Sequence, residues 1–232
     1  MLVRALVLLL ALTPAAAQMP LRWEAGRHYV VIQGSGPAVA RPGKVEVAEV
    51  FSYGCVHCYR AHAAMDALAR SLPADAAMTY VHASFQPAEA WPMFQRAWYT
   101  AQSLGIGEAL HQQLFAAIWE TGEVPLFDLA TGRLKNPLPT IADAARFYAR
   151  LSPVKAEDFL KAAQSPAVDA EIQRADALVR AWRIPGTPSV VVNGRYLVEN
   201  GALSGWQEMN QLVAYLVGLE RQRLRAGAAN AR

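Results

Sequence analysis

Both cysteines of the 232-residue chain lie in Ser52-Tyr53-Gly54-Cys55-Val56-His57-Cys58-Tyr59, two residues apart. Such a pair can clip a metal, staple the chain, or exchange electrons as a dithiol. As a staple it does little: in the chain-entropy view, stabilisation grows with the length of the closed loop. A chain of this length also buries a full core without cross-links. Structural zinc normally takes four protein ligands. Cys55, Cys58 and His62 supply three at most, while His28, His82 and His111 are isolated along the sequence. Haem attachment through Cys-x-x-Cys-His fails, because Tyr59 stands in the histidine position. Redox chemistry fits this spacing best, with a zinc-binding or peptide-binding module as the alternative from another class.

Three local features point to Cys55 as the nucleophile. It falls at a strand-to-helix junction, where unpaired backbone N–H groups and the helix dipole favour a thiolate. Cys58 opens a buried stripe, so Cys55 is expected to be exposed and Cys58 shielded. His57 lies between them and is placed to donate a hydrogen bond or positive charge to the Cys55 sulfur. All three lower the thiol pKa and favour the dithiol, and a pair whose reduced form is stabilised is strongly oxidising as a disulfide.

That placement requires a strand running into Ser52 and a helix leaving from Cys55. Lys44 to Phe51 is apolar and β-branched enough for a strand buried on both faces. Cys58, Ala61, Met65, Leu68 and Leu72 recur at steps of three and four, an amphipathic helix stopped by Pro73. Short strands are expected at His28–Ile32 and Met78–Ser84, with a parallel crossover through the helix. Residues 91 to 184 read as helical: Trp91–Leu104, Gly107–Glu120, Thr140–Leu151 behind a Thr140/Asp143 cap, Ala156–Ala163 and Ala167–Arg183. Gly122–Pro139 reads as loop. The aromatic residues of this stretch, Trp91, Trp98, Tyr99, Phe115, Trp119, Phe147 and Tyr148, are expected to pack a core rather than line a ligand pocket. Pro188–Leu197 is a hairpin turned at Asn193-Gly194. A last helix is expected over Trp206–Leu224, with a fraying tail.

The chain opens with Arg4, an apolar run from Ala5 to Leu12, and Pro14-Ala15-Ala16-Ala17. This is the pattern of a cleaved export signal ending at Ala17, and the run is too short to span a bilayer. Export permits disulfides to persist. A formal net charge of +3 gives no basic footprint of the kind nucleic-acid binding needs.

Strand, Cys-Val-His-Cys, helix, strand, helical insertion and a hairpin opened by Thr187-Pro188 together resemble the DsbA family of periplasmic thiol oxidases. The resemblance is strongest over residues 47–59 and 184–196. It implies an α/β thioredoxin fold over residues 18–86 and 176–232, with an all-helical insertion at 87–175. It implies Cys55 and Cys58 as nucleophilic and resolving cysteines, a cis Thr187–Pro188 bond opposite them, and Glu49 as a proton acceptor near Cys58. Substrates would be folding secreted proteins with free thiols. The reoxidising partner would be a quinone-linked membrane oxidase similar to DsbB. The chain would work as a periplasmic monomer with no metal or organic cofactor. Isomerases and reductants of the same superfamily are the nearer alternative, although isomerases of this lineage usually carry an N-terminal dimerisation domain. Val56 stands where well-known members have proline, Gly54 where they have a bulky residue, and Thr187 where the strongest oxidases have valine. His62 stands at a position that is acidic in some members. The dipeptide and the residue before the proline both tune redox poise.

Overall fold

Strand β2 (Val45–Phe51) is buried along its whole length, as a strand flanked on both sides and covered on both faces must be. It pairs in parallel with β3 (Ala76–His82) and antiparallel with β4 (Ser189–Val192). β5 (Tyr196–Val198) and β1 (Tyr29–Val31) extend the sheet in the order β1-β5-β4-β2-β3. The computed structural model of the chain describes residues 22–34, 36 and 43–230. The expected export signal, residues 1–17, lies outside the described residues.

Helix α1 (Val56–Ser71) makes the crossover from β2 to β3, burying Cys58, Ala61, Met65 and Leu68. β3 begins two residues earlier than its apolar run suggests. Ala76 and Ala77 pair with Val45 and Glu46, and beyond His82 the chain leaves the sheet after a single bond from Ala83 N to Phe51 O (2.7 Å). On one face of the sheet, Val47, Val190 and Val192 pack with α1 and with α7 (Trp206–Asn230) through Leu212, Val213 and Leu216. On the other, Ala48, Val50 and Val191 join the core of the inserted helices.

Those helices are α2 (Trp91–Ser103), α3 (His111–Trp119), α4 (Ile141–Leu151), α5 (Ala156–Ala163) and α6 (Pro166–Ala181). The cap expected at Thr140 is a reciprocal one, with Asp143 Oδ2 accepting from the Thr140 N–H at 2.7 Å. The helix expected from Gly107 to Glu120 is instead a 3₁₀ turn, Glu108–Leu110, followed by α3, because Leu110 leaves helical geometry at φ −114°, ψ 14°. The stretch expected as loop closes into a small hairpin, with Phe127 bridged antiparallel to Leu134. Asp128 Oδ1 fastens its tip by accepting from Ala130 N, Thr131 N and Thr131 Oγ1 at 2.9–3.1 Å. α7 runs on through the tail expected to fray, as far as Asn230; its last turns are Arg- and Ala-rich, residues that favour helix. No helix among the described residues is long and apolar enough to cross a membrane.

The β4–β5 hairpin turns through left-handed backbone at Asn193 (φ 52°) and Gly194 (φ 61°). Its tip is clasped to α7 by the fully buried Glu220 carboxylate, which accepts from Asn193 Nδ2 at 2.7 Å and from the Arg223 guanidinium at 2.8–3.0 Å. Removing one partner from a buried network leaves the others unpaired, so Glu220→Gln is expected to lower stability by about 1–3 kcal/mol. Urea unfolding checks this: the midpoint should fall with the slope unchanged.

Candidate active site

Cys55 is the N-cap residue of α1, in extended conformation (φ −91°, ψ 115°), and the first helical turn holds no acidic residue to oppose a negative sulfur. Its neighbours explain why the chain turns there. Ser52 O accepts from Cys55 N at 3.1 Å, and Ser52 Oγ accepts from Gly54 N at 3.3 Å. Cys58, one turn along the helix, is fully buried, and Cys55 is 7 % exposed. Cys55 is therefore less shielded than Cys58 but is buried, not exposed as expected, because the loop before β4 lies against it with Thr187 O 3.4 Å from its sulfur.

Both cysteines are free thiols in this structure. The Cys55 pKa is brought down to about 5, chiefly by the hydrogen bond from the Cys58 thiol, and also by the Thr187 side chain and the backbone N–H groups of Cys58 and His57. These contacts outweigh the opposing effect of burial. As a neutral thiol, Cys55 Sγ donates instead to Thr187 O at 3.4 Å. The Cys58 thiol is pushed well up by its burial and by the neighbouring Cys55 sulfur. The two sulfurs are thereby driven apart in acidity, one a thiolate and one a thiol at neutral pH. His57 bears on Cys55 through its main-chain N–H, while its side chain stands exposed at the lip of the site.

The Thr187–Pro188 peptide is cis. Ser189 Oγ donates to Gly186 O at 2.8 Å, and Asn200 Nδ2 donates to Pro188 O at 2.9 Å, fixing the loop from both sides. With no N–H on Pro188, nothing at that position donates to the sulfur pair.

Glu49 lies at the centre of the sheet, in register with Tyr80 of β3 and Val190 of β4. It is 2 % exposed, and burial, helped by Asp66 on α1, pushes its pKa up to about 8. Its charge bears on Cys58 and raises that thiol further. A carboxyl that is neutral at pH 7 beneath a buried thiol is equipped to hand over a proton and take it back.

Residues that the sequence leaves isolated or assigns to core packing hold the approach to Cys55. Tyr53 is gripped at three points: its N–H donates to His82 Nε2 (3.2 Å), its hydroxyl bonds His111 Nδ1 (2.8 Å), and its carbonyl accepts from Trp119 Nε1 (2.9 Å). Burial drops both histidines to a pKa of about 3, so both rings are neutral. β3 and α3 thus fasten the residue two before Cys55, which single isolated histidines in a sequence do not reveal. His62, weighed above as a zinc ligand, bonds Tyr59 O through Nδ1 and stacks on the Tyr59 and Phe115 rings.

A groove of about 710 Å³ opens beside the sulfur, lined by Cys55, His57, Phe85, Trp91, Trp119, Phe127, Leu129 and Gly186-Thr187 among others. Phe85 and Leu129 are exposed at its rim. Trp98, Phe115, Phe147 and Tyr148 are core residues as expected, but Trp91 and Trp119 serve as groove walls. Trp119 stacks on Tyr59 and meets the Phe127 ring at a tilt of 33°.

An acidic cysteine at a helix start, its shielded partner one turn on, and a cis-proline loop laid over both place the chain among the thioredoxin-fold thiol:disulfide oxidoreductases. Known proteins of that class align over nearly its full length. It is 32 % identical over 209 residues to the thiol:disulfide interchange protein DsbA of Azotobacter vinelandii, covering 90 % of each chain. It is 31 % identical to the Pseudomonas aeruginosa DsbA, covering 86 % of each. The crystal structure of oxidoreductase DsbA from Xylella fastidiosa superposes with a TM-score of 0.74 at 33 % identity, over 86 % of this chain and 98 % of that one. No protein-family model matches the chain. The chain belongs to the DsbA family of thiol:disulfide interchange proteins.

Two outcomes follow from the acidities. The thiolate is the species that alkylates, so in the reduced protein Cys55 labelling by iodoacetamide should titrate near pH 5, against 9 for an ordinary thiol. In Cys58→Ala the midpoint should rise, since the largest stabilising contact is gone. Glu49 acts in the opposite sense on stability. Its folded pKa lies above the unfolded one, so its neutral form is favoured by the fold, and that advantage is lost as pH rises from 4.5 to about 8. Glu49→Gln removes this loss and is expected to stabilise the protein at pH 8 by roughly 2–4 kcal/mol, with little effect at pH 4. Urea unfolding at both pH values checks it.

Proposed function

We propose that the chain is a thiol oxidase of the periplasm, exported by the signal at residues 1–17, that donates a Cys55–Cys58 disulfide to folding secreted proteins. The observation that carries this reading is the stabilisation of the Cys55 thiolate. Whatever lowers the free energy of the reduced pair raises the tendency of the disulfide to accept electrons.

In the oxidised protein, a substrate thiolate attacks Cys55 Sγ, and the Cys55–Cys58 bond breaks with its electron pair going to Cys58. Glu49, neutral at pH 7, supplies the proton that this buried sulfur requires and is then reprotonated from solvent. A second substrate thiolate then attacks the substrate sulfur of the mixed disulfide. Cys55 leaves as a thiolate, held by the α1 N–H groups of His57 and Cys58. The substrate has lost two electrons and two protons. The protein has gained both electrons and one proton, and the other proton goes to solvent. Thr187 offers its main chain to an extended substrate segment over the sulfur, in the manner of strand addition, with Pro188 keeping donors away. The two cysteines are the whole redox group, so no metal or organic cofactor is needed. Groove and sulfur pair come from one chain, which suits action as a monomer. A membrane oxidase similar to DsbB would return the pair to the disulfide.

Equilibration of the purified protein with reduced and oxidised glutathione tests the direction of transfer. The pair is expected to stay reduced in mixtures that leave an ordinary structural disulfide intact. A potential as low as that of thioredoxin, about −270 mV, would overturn the oxidase reading in favour of a reductant.

A further inference from the structure

Gly54 has a partner in α2. A Cβ placed on Gly54 would lie 2.5 Å from Trp91 Nε1 and 2.6 Å from Trp91 Cδ1, closer than any real methyl group tolerates. The backbone of Gly54 is not left-handed, so the glycine is there for space and not for conformation. The indole comes from the first position of α2, swung inward by Ala90 in left-handed backbone (φ 60°). Trp91 is 6 % exposed, and its Nε1 is buried with no hydrogen-bond partner among the described residues. A buried unpaired donor costs on the order of 1–3 kcal/mol, so no polar bond holds this ring. Contact alone holds it, and the missing side chain at position 54 is what makes the contact possible. Both residues line the groove beside Cys55, and the ring pair Trp119–Phe127 lines the same groove.

We propose that Trp91, seated on Gly54, is a specificity-determining residue that favours substrates carrying a large apolar side chain next to the reactive cysteine. This deepens the oxidase reading and rests on it. A cysteine bonded to Cys55 puts its neighbouring residue within the groove, where an aromatic or branched side chain is enclosed between Trp91 and the Trp119–Phe127 pair. A small polar neighbour leaves that aromatic surface wet. Apolar discrimination of this kind is worth about 10- to 200-fold per site.

The test uses two peptides that differ only in the residue after a single cysteine, Phe or Ser, and measures the rate at which the oxidised protein forms the mixed disulfide with each. The Phe/Ser rate ratio within one variant cancels changes in the sulfur pair common to both peptides. Wild type is expected to favour Phe by about tenfold, and Trp91→Ala to bring the ratio close to one. Gly54→Ala displaces the indole and is expected to do the same, yet to add nothing in the Trp91→Ala background, where no ring is left to displace. A Phe/Ser ratio that survives Trp91→Ala, or one that Gly54→Ala lowers equally with and without the indole, overturns the proposal. Trp91→Phe, expected to retain part of the preference, serves should Gly54→Ala alone fail to fold. Failure of the wild type to oxidise glutathione or either peptide would instead sink the oxidase reading beneath it.

Discussion

A single negative charge, on a sulfur almost sealed from water, is the constraint the rest of the molecule answers to. An ion in so covered a place is ordinarily expensive, and here hydrogen bonds from a thiol, a side chain and two backbone N–H groups offset the expense. Each donor depends on a different part of the fold. The N–H groups need α1 to begin at residue 56, the thiol needs a helical turn between 55 and 58, and Thr187 needs β4 to lie beside β2. β2 meets all three conditions by running buried through the middle of the sheet and ending where the helix starts.

The same strand carries the opposite case. Glu49, flanked by β3 and β4 and buried, is met by no hydrogen bonds that favour its charge, and it answers burial by keeping its proton. Cys58 does likewise. Within a short span one group is ionised by hydrogen bonding and two are kept neutral by desolvation, so protons and electrons have distinct holders. Environment, and not residue type, assigns the roles.

Much of this was legible in the sequence. The apolar run before Cys55, the stripe beginning at Cys58 and the turn at Asn193-Gly194 are local signals, and they place β2, α1 and the β4–β5 hairpin within a residue or two. The thioredoxin fold and the pairing of Cys55 with the Thr187-Pro188 loop came through resemblance, since nothing local says that residues 132 positions apart will meet. What stayed hidden is what depends on distant partners. The grip on Tyr53 comes from two separate elements, β3 through His82 and α3 through His111 and Trp119, none of them marked out by its local sequence. The hairpin at Phe127–Leu134 was missed because its two strands are a single bridge and its turn is held by one aspartate, which periodicity cannot detect. Gly54 departs from the family pattern for a reason only the fold shows, the indole of Trp91 filling the space it leaves.

That small hairpin is closed by its own bonds. Asp128 holds the tip, and Lys135 N donating to Leu126 O (2.9 Å) closes the base. It contributes Phe127 and Leu129 to the groove and none of the groups that act on either sulfur. It is therefore a replaceable part. Insertions, deletions or new side chains there can change which proteins are accepted while the electron chemistry is inherited intact, so lineages of this enzyme have a place to diversify in diet without relearning how to react.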